Sequence, residues 1–161
     1  MAAKTNPKTK AETAAVPQVP VSVVVVPPTA ATEALPDAKS VQTGKMILIV
    51  EDEKPLAHAL EMKLKNDGFI TKTCINGSDA LEEVKKNDYA MMLLDLIMPV
   101  VDGFAVLEGM KAAKLKTPVI VLSNLGQEED RVKAKGLGAI DYFVKSNTPL
   151  ADIIKRVKSA I

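Results

Sequence analysis

Short apolar runs recur at regular intervals from residue 45 to the end of the chain. Each has the length of a strand, and several lack the polar alternation typical of a sheet with one exposed face. We therefore predict five strands, most of them covered on both faces. They lie at MILIV (46–50), FITKTC (69–74), YAMMLLD (89–95), PVIVLS (118–123) and AIDYFVK (139–145).

Segments with helical periodicity follow each of these strands. In the first segment, Leu56, Leu60 and Leu64 recur on one helical face, and Gly68 ends the pattern. Ser78 stands where a residue could cap the second helix. The five predicted helices span residues 55–68, 78–88, about 103–114, 127–136 and 149–161.

Five strand–helix units in succession predict an α/β domain with a parallel sheet and helices on both faces. We expect a doubly wound open sheet. In such a sheet ligands bind beyond the carboxyl ends of the strands, at the point where the strand order switches. The residues that follow each strand are therefore the first place to look for chemistry.

Residues 1–44 have a different composition. Six of the ten prolines lie in this segment, at positions 7, 17, 20, 27, 28 and 36, and they prevent long helices and central strands. We predict a disordered or partly extended Pro-, Ala- and Val-rich tail at 1–44 and a folded domain at 45–161. Within the tail, Val21–Val26 is either an apolar patch or an edge strand that docks on a partner.

Composition and charge exclude several classes of function. The formal net charge is +1, so no overall field favours nucleic acid or an anionic membrane. The only cysteine, Cys74, allows no intrachain disulfide, which suits a reducing compartment and leads us to expect a cytoplasmic protein. We expect no membrane insertion, because no apolar run approaches the roughly 20 residues of a membrane helix.

Polar side chains collect where the predicted strands end. Glu51 and Asp52 directly follow the first strand, and Asp95 ends the third. Ser123 closes the fourth strand and Lys145 the fifth. Because the carboxyl ends of parallel strands lie at one edge of the sheet, we expect these five residues to meet in a shallow cleft.

This group of residues fits phosphoryl transfer. Three neighbouring carboxylates repel one another unless a cation or Lys145 neutralises them, and oxygen-only ligands favour a hard cation such as Mg²⁺. With the charge balanced, Asp95 can act as a carboxylate nucleophile that forms an acyl phosphate. Lys145 and the Ser123 hydroxyl can neutralise the phosphoryl oxygens. Taken alone, Asp95 would be interpreted as a turn carboxylate, so its assignment depends on the other four residues.

Four motifs, in this order and spacing, resemble the receiver domain of two-component response regulators. They are ILIVEDE (47–53), LLDLIMPVVDG (93–103), VIVLSN (119–124) and DYFVK (141–145). The resemblance covers roughly Lys45 to Ile161 and implies a flavodoxin-like (βα)5 fold with strand order 2-1-3-4-5. It also implies a signalling switch that catalyses only its own phosphorylation and dephosphorylation and is otherwise not an enzyme.

The resemblance assigns a role to each residue of the predicted cleft. It implies that a sensor histidine kinase or a histidine phosphotransfer protein phosphorylates Asp95, with Lys145 and Ser123 assisting. Ser123 and Tyr142 match the two switch positions of the family. The implied Mg²⁺ ligands are Glu51, Asp52, Asp95 and the main-chain carbonyl of Ile97.

The resemblance also implies how the signal leaves the domain. Ser123 moves toward a phosphoryl group on Asp95, and Tyr142 turns inward into the vacated space. This remodels the face formed by the fourth helix, fifth strand and fifth helix, where an unknown downstream protein would bind. Since the chain ends with the fifth helix, we expect a stand-alone receiver whose output is a protein contact or a phosphate relay, with no direct DNA binding.

Two residues near the predicted polar cleft are apolar. Ile97 lies two residues beyond Asp95, and Leu125 lies two residues beyond Ser123. In the family, side chains at these positions flank the path of the water that attacks the acyl phosphate. Because both are apolar here, we predict slow self-dephosphorylation.

Other functions account for fewer of these residues. A haloacid-dehalogenase-type phosphatase needs a second Asp at the position of Ile97, and no G-x-x-x-x-G-K-[ST] phosphate-binding loop occurs. A flavin carrier would share the fold but not the site. The alternative that stays open is a receiver-like interaction module that works without phosphorylation. We interpret His58 as solvent-facing and Asp102-Gly103 as turn chemistry.

Overall fold

The computed structural model describes residues 44–161. The predicted tail therefore lies outside the described residues, apart from Gly44. From residue 44 on, strands and helices alternate along the whole chain. The five strands are β1 (Met46–Val50), β2 (Ile70–Cys74), β3 (Met91–Asp95), β4 (Val119–Ser123) and β5 (Ala139–Val144). The five helices are α1 (Lys54–Asn66), α2 (Gly77–Lys86), α3 (Gly103–Ala112), α4 (Glu128–Gly136) and α5 (Leu150–Ala160).

The strands form one parallel sheet in the order β2-β1-β3-β4-β5. This confirms the predicted flavodoxin-like, doubly wound fold and its strand order. The order reverses between β1 and β3, so the crevice expected in such folds lies beyond the carboxyl ends of these two strands.

Two apolar cores lie on opposite faces of the sheet. On one face, β-strand side chains pack against α2, α3 and α4, which contribute residues such as Val84, Val106 and Ala134. On the other face, Leu60 and Leu64 of α1 and Ile153, Ile154 and Val157 of α5 cover the sheet. Burial on both faces explains why β1, β3 and β4 appear in the sequence as continuous apolar runs.

Capping residues define where two helices near the carboxyl edge begin. The Asp102 side chain accepts a hydrogen bond of 2.8 Å from the Ala105 N–H at the start of α3, which confirms the prediction of turn chemistry there. The predicted cap at Ser78 is wrong. Asn76 caps α2 instead, accepting a bond of 2.9 Å from the Asp79 N–H, because the helix begins at Gly77.

Within the described residues, no helix has the length and apolar character needed to cross a membrane.

His58 is exposed on α1, as expected from its position off the Leu60/Leu64 stripe.

Gly103 allows α3 to start directly against the end of β3. A Cβ at this position would lie 2.2 Å from the Asp95 carbonyl oxygen and 2.7 Å from the Leu96 Cα, and both are backbone atoms that cannot rotate away. We predict that Gly103→Ala lowers the free energy of unfolding by about 1–3 kcal/mol, as overpacking does elsewhere. Urea denaturation followed by circular dichroism measures the change.

The matched control is Gly136→Ala at the end of α4, where a Cβ would meet no atom within 4 Å. Alanine is the better helix former, so this variant should be neutral or more stable by up to about 1 kcal/mol. Equal destabilisation by the two substitutions would contradict the assigned role of Gly103.

Candidate functional site

Three carboxylates meet at the switch point of the sheet. Val50 pairs with Leu94 in the register of β1 and β3, so Glu51 and Asp95 lie side by side just beyond. One carboxylate oxygen each of Glu51, Asp52 and Asp95 lies within 4.8 Å of the others. Glu51 is 1% exposed and Asp95 is 3% exposed, so two of the three are fully buried. The predicted acidic cluster is therefore present.

Lys145 provides the positive charge that this cluster needs. Its Nζ donates a hydrogen bond of 2.7 Å to Asp95 Oδ2 and one of 2.8 Å to Glu51 Oε1. Glu53, which is more exposed, lies 3.8 Å from the same nitrogen. Although burial acts to lower the pKa of Lys145, the bonds to Asp95 and Glu51 raise it, so the side chain stays charged.

Glu51 keeps one oxygen without a partner. Its Oε2 is buried and accepts no hydrogen bond, whereas Oε1 contacts Lys145. Burial raises the pKa of Glu51 to about 7, against the opposing effect of the Lys145 bond. A buried carboxylate oxygen without a donor is costly unless a proton or a cation satisfies it. Together with the three-carboxylate cluster, this oxygen fits a hard divalent cation, and hence the expected Mg²⁺.

Asp95 is held through both of its oxygens. Oδ2 accepts from Lys145, and Oδ1 accepts a bond of 3.1 Å from the Ile97 N–H. The main chain of Ile97 therefore lies next to the carboxylate, while its side chain is 51% exposed at the rim of the cleft. The role of the Ile97 carbonyl as a metal ligand stays a prediction.

Ser123 and Tyr142 are connected through Leu125. Ser123 is fully buried at the end of β4, and its Oγ accepts a bond of 3.2 Å from the Leu125 N–H. The Tyr142 hydroxyl donates a bond of 2.8 Å to the Leu125 carbonyl, and Arg131 lies 5.6 Å from the centre of the tyrosine ring. Tyr142 is 3% exposed, so its side chain is buried here, and its inward turn on phosphorylation stays a prediction.

The backbone conformation of Val100, in the loop that follows Asp95, was not predicted from the sequence. Val100 has a φ of +71°, a conformation that β-branched residues rarely adopt, and it is 93% exposed. A pattern of apolar residues does not predict a backbone dihedral angle, and the turn predicted at Asp102-Gly103 does not include Val100. Among the described residues, four of the five that were predicted from the strand ends come together through their side chains: Glu51, Asp52, Asp95 and Lys145. Ser123 joins them through its main-chain carbonyl, which accepts a bond of 2.9 Å from the Lys145 N–H.

Comparisons with known proteins agree with this geometry. Residues 47–158 match the response regulator receiver domain family. The cell cycle response regulator CtrA of Brucella ovis is 36% identical over 99 residues, which are 62% of this chain and 43% of that protein. The chain thus covers less than half the length of the CtrA proteins that it matches.

Solved structures show the same fold. The receiver domain of the Francisella response regulator 1452 superposes with a TM-score of 0.69 and 28% identity, over 73% of this chain and 96% of that one. The response regulator TrrA of Thermotoga maritima, solved in complex with Mg²⁺-BeF, gives a TM-score of 0.65 and 26% identity over 73% and 99%. This chain therefore belongs to the response regulator receiver domain family of two-component signalling.

Proposed function

We propose that this protein is a phosphorylation-dependent switch in which Asp95 accepts a phosphoryl group from a phosphohistidine. The observation that carries the proposal is the placement of Lys145 between Asp95 and Glu51, beside an acidic cluster with one unpartnered buried oxygen. A structural ion pair would satisfy both carboxylates, whereas this arrangement leaves the capacity to bind a cation. The donor is a sensor histidine kinase or a histidine phosphotransfer protein.

In the proposed reaction, a carboxylate oxygen of Asp95 attacks the phosphorus atom as the bond between phosphorus and the histidine nitrogen breaks. The imidazole leaves and the acyl phosphate forms on Asp95. Lys145 and the Ser123 hydroxyl interact with the oxygens of the transferred group, where negative charge develops. Apart from its own phosphorylation and the later hydrolysis of the acyl phosphate, which releases inorganic phosphate, the protein catalyses no reaction in this proposal.

Glu51, Asp52, Asp95 and the Ile97 carbonyl would hold Mg²⁺. Supporting this set, the first three side chains already bring oxygens within 4.8 Å of one another. When bound, the metal neutralises part of the charge that accumulates on the phosphoryl oxygens. The TrrA structure contains Mg²⁺-BeF, and by analogy we propose that this chain also binds Mg²⁺.

The switch works by shifting a population. A phosphoryl group on Asp95 offers oxygens to Ser123, whose Oγ now contacts the Leu125 N–H. Because the Tyr142 hydroxyl binds the carbonyl of the same Leu125, movement of this segment changes the support of the buried tyrosine. The output is a protein contact at the face formed by α4, β5 and α5, where the target protein is unknown.

Phosphorylation of Asp95 is tested by intact mass spectrometry after incubation with acetyl phosphate and Mg²⁺. We expect a single added phosphoryl group, absent from Asp95→Asn and from a sample treated with a metal chelator. Asp102→Asn is the matched control, because Asp102 caps α3 outside the cleft, and it should still be labelled. A folded wild-type protein that no donor labels, and that binds no Mg²⁺, would support the phosphorylation-independent interaction module instead.

Mg²⁺ binding should weaken below neutral pH. A proton and the metal compete for the Glu51 carboxylate, whose pKa is raised to about 7, so this group is ionised above that pH and mostly protonated below it. From pH 8 to pH 6 we predict that the dissociation constant rises about tenfold, as measured by NMR-detected Mg²⁺ titration.

Two variants isolate this effect. Glu53→Gln removes a neighbouring exposed carboxylate and should keep the pH dependence. Glu51→Gln binds the metal more weakly and should show a much flatter profile, because the titrating group is gone. A dissociation constant that is the same at both pH values in the wild type would refute the competition.

The acyl phosphate should be long-lived. Ile97 is exposed beside Asp95, and Leu125 packs partly buried against the apolar core. Neither side chain offers a group that could orient an attacking water. We predict that Ile97→Asn, which adds such a group, speeds loss of phosphate by roughly threefold or more. The loss is followed by phosphate release after removal of the donor. Ile140→Asn, at an exposed position on β5, is the control. Release within seconds in the wild type would contradict the prediction.

A further inference from the structure

Val100 projects an apolar side chain from the turn that follows Asp95. The Val101 N–H donates a bond of 2.9 Å to the Pro99 carbonyl, which closes a γ-turn with Val100 at its centre and a φ of +71°. This type of γ-turn is rare and strained, and a β-branched residue adds to the strain. At 93% exposure the Val100 side chain gains almost nothing from packing.

The surrounding contacts hold the turn in this conformation. The Gly103 N–H donates to the Leu96 carbonyl at 3.0 Å, and Asp102 caps α3 just beyond. On the other side, a Cβ at Gly77 would lie only 2.6 Å from the Val101 carbonyl, so the turn rests against the start of α2. A strained residue that the fold supports but does not use for packing points to a function of its side chain.

Two further apolar side chains are exposed on the same edge of the sheet. Ile97 is 51% exposed, and its N–H binds Asp95 directly. Ile75 is 54% exposed and precedes Gly77, the residue that contacts the Val100 turn. The loops that follow β2 and β3, at the carboxyl edge of the sheet, thus carry exposed apolar residues, and exposed apolar residues beside polar ones are typical of a protein-binding surface.

These exposed apolar residues can supply binding energy for a phosphodonor that the acidic cleft itself does not supply. The acidic cluster gives an incoming phosphoryl group little attraction before the charges are balanced, so a donor needs binding energy from contacts away from the reacting atoms. A small phosphodonor has few atoms with which to contact residues around the cleft. A protein donor also has a surface beside its phosphohistidine, and Val100, five residues beyond Asp95, is 93% exposed to it.

We propose that Val100 and Ile97 form an apolar anchor for the protein that carries the phosphohistidine. The partner surface is apolar beside its histidine and receives the Val100 side chain in a shallow socket. This inference rests on the proposed phosphorylation of Asp95 and adds the site at which the donor is recognised. Val100 is an anchoring residue and takes no part in the chemistry.

Two substitutions separate the side chain from the strain. Val100→Thr keeps the β-branched shape and the strained backbone but replaces a methyl group with a hydroxyl. Val100→Gly removes both the side chain and the strain, and it should unfold at a higher urea concentration than the wild type. The matched control is Val132→Thr, which makes the same change at a 62% exposed position on α4.

The test compares two kinds of donor on the full chain. One is acetyl phosphate, and the other is a panel of purified, autophosphorylated sensor-kinase cores carrying labelled phosphate. For the fastest kinase of the panel, we expect kcat/KM to fall roughly tenfold in Val100→Thr and Val100→Gly, mainly through KM. Labelling by acetyl phosphate should stay within about twofold, and Val132→Thr should match the wild type with both donors.

The outcomes distinguish this proposal from the one on which it rests. If acetyl phosphate fails to label the wild type, the proposed function itself fails. If it labels the wild type and the kinase treats both Val100 variants like the wild type, or no kinase transfers phosphate to any chain, the anchor is refuted. A loss in Val100→Gly but not in Val100→Thr would assign the effect to turn geometry and would also refute the anchor.

Discussion

The structure depends on one interaction, the contact of the Lys145 ammonium with the buried carboxylates of Glu51 and Asp95. Carboxylates that are almost fully buried carry a large desolvation cost, and an ion pair offsets it only with good geometry and few unsatisfied atoms. Here the geometry is good, at 2.7 and 2.8 Å, but one oxygen of Glu51 stays unsatisfied. The ion pair therefore stabilises the carboxyl edge of the sheet, but one buried carboxylate oxygen there has no partner. This is expected of the proposed site, which would bind a cation and accept a phosphoryl group.

Lys145 also connects the proposed phosphorylation site to β5, a strand of the proposed output face. Lys145 directly follows β5, the strand that carries Tyr142, and the Lys145 N–H donates to the Ser123 carbonyl at 2.9 Å. The Leu125 main chain joins Ser123 to Tyr142 through two hydrogen bonds. In the proposed switch, a change in the partners of Lys145 or Ser123 would therefore reach the tyrosine across a few adjacent groups. A mechanism of this kind needs two discrete arrangements of one segment and no long-range pathway.

Much of the fold and the cleft could be predicted because both follow from periodic burial. Continuous apolar runs identify strands covered on both faces, and parallel strands bring their carboxyl ends together, so Glu51, Asp95 and Lys145 could be placed without coordinates. Features set by single dihedral angles or by competition between neighbours were not predicted. Asn76 replaces Ser78 as a cap because α2 starts two residues earlier than its apolar pattern, and nothing in the pattern marks the left-handed backbone of Val100.

The most direct test of the central claim is a crystal structure of the protein grown with Mg²⁺ and beryllofluoride, a stable mimic of an aspartyl phosphoryl group. The account predicts density for the mimic on Asp95, with Lys145 Nζ and Ser123 Oγ in contact with its fluorine atoms. It also predicts a metal ion bound by Asp52 and by Glu51 Oε2, the buried oxygen that has no hydrogen-bond partner here. A cleft with neither mimic nor metal, and with Lys145 still joining Glu51 to Asp95 at full occupancy, would contradict it.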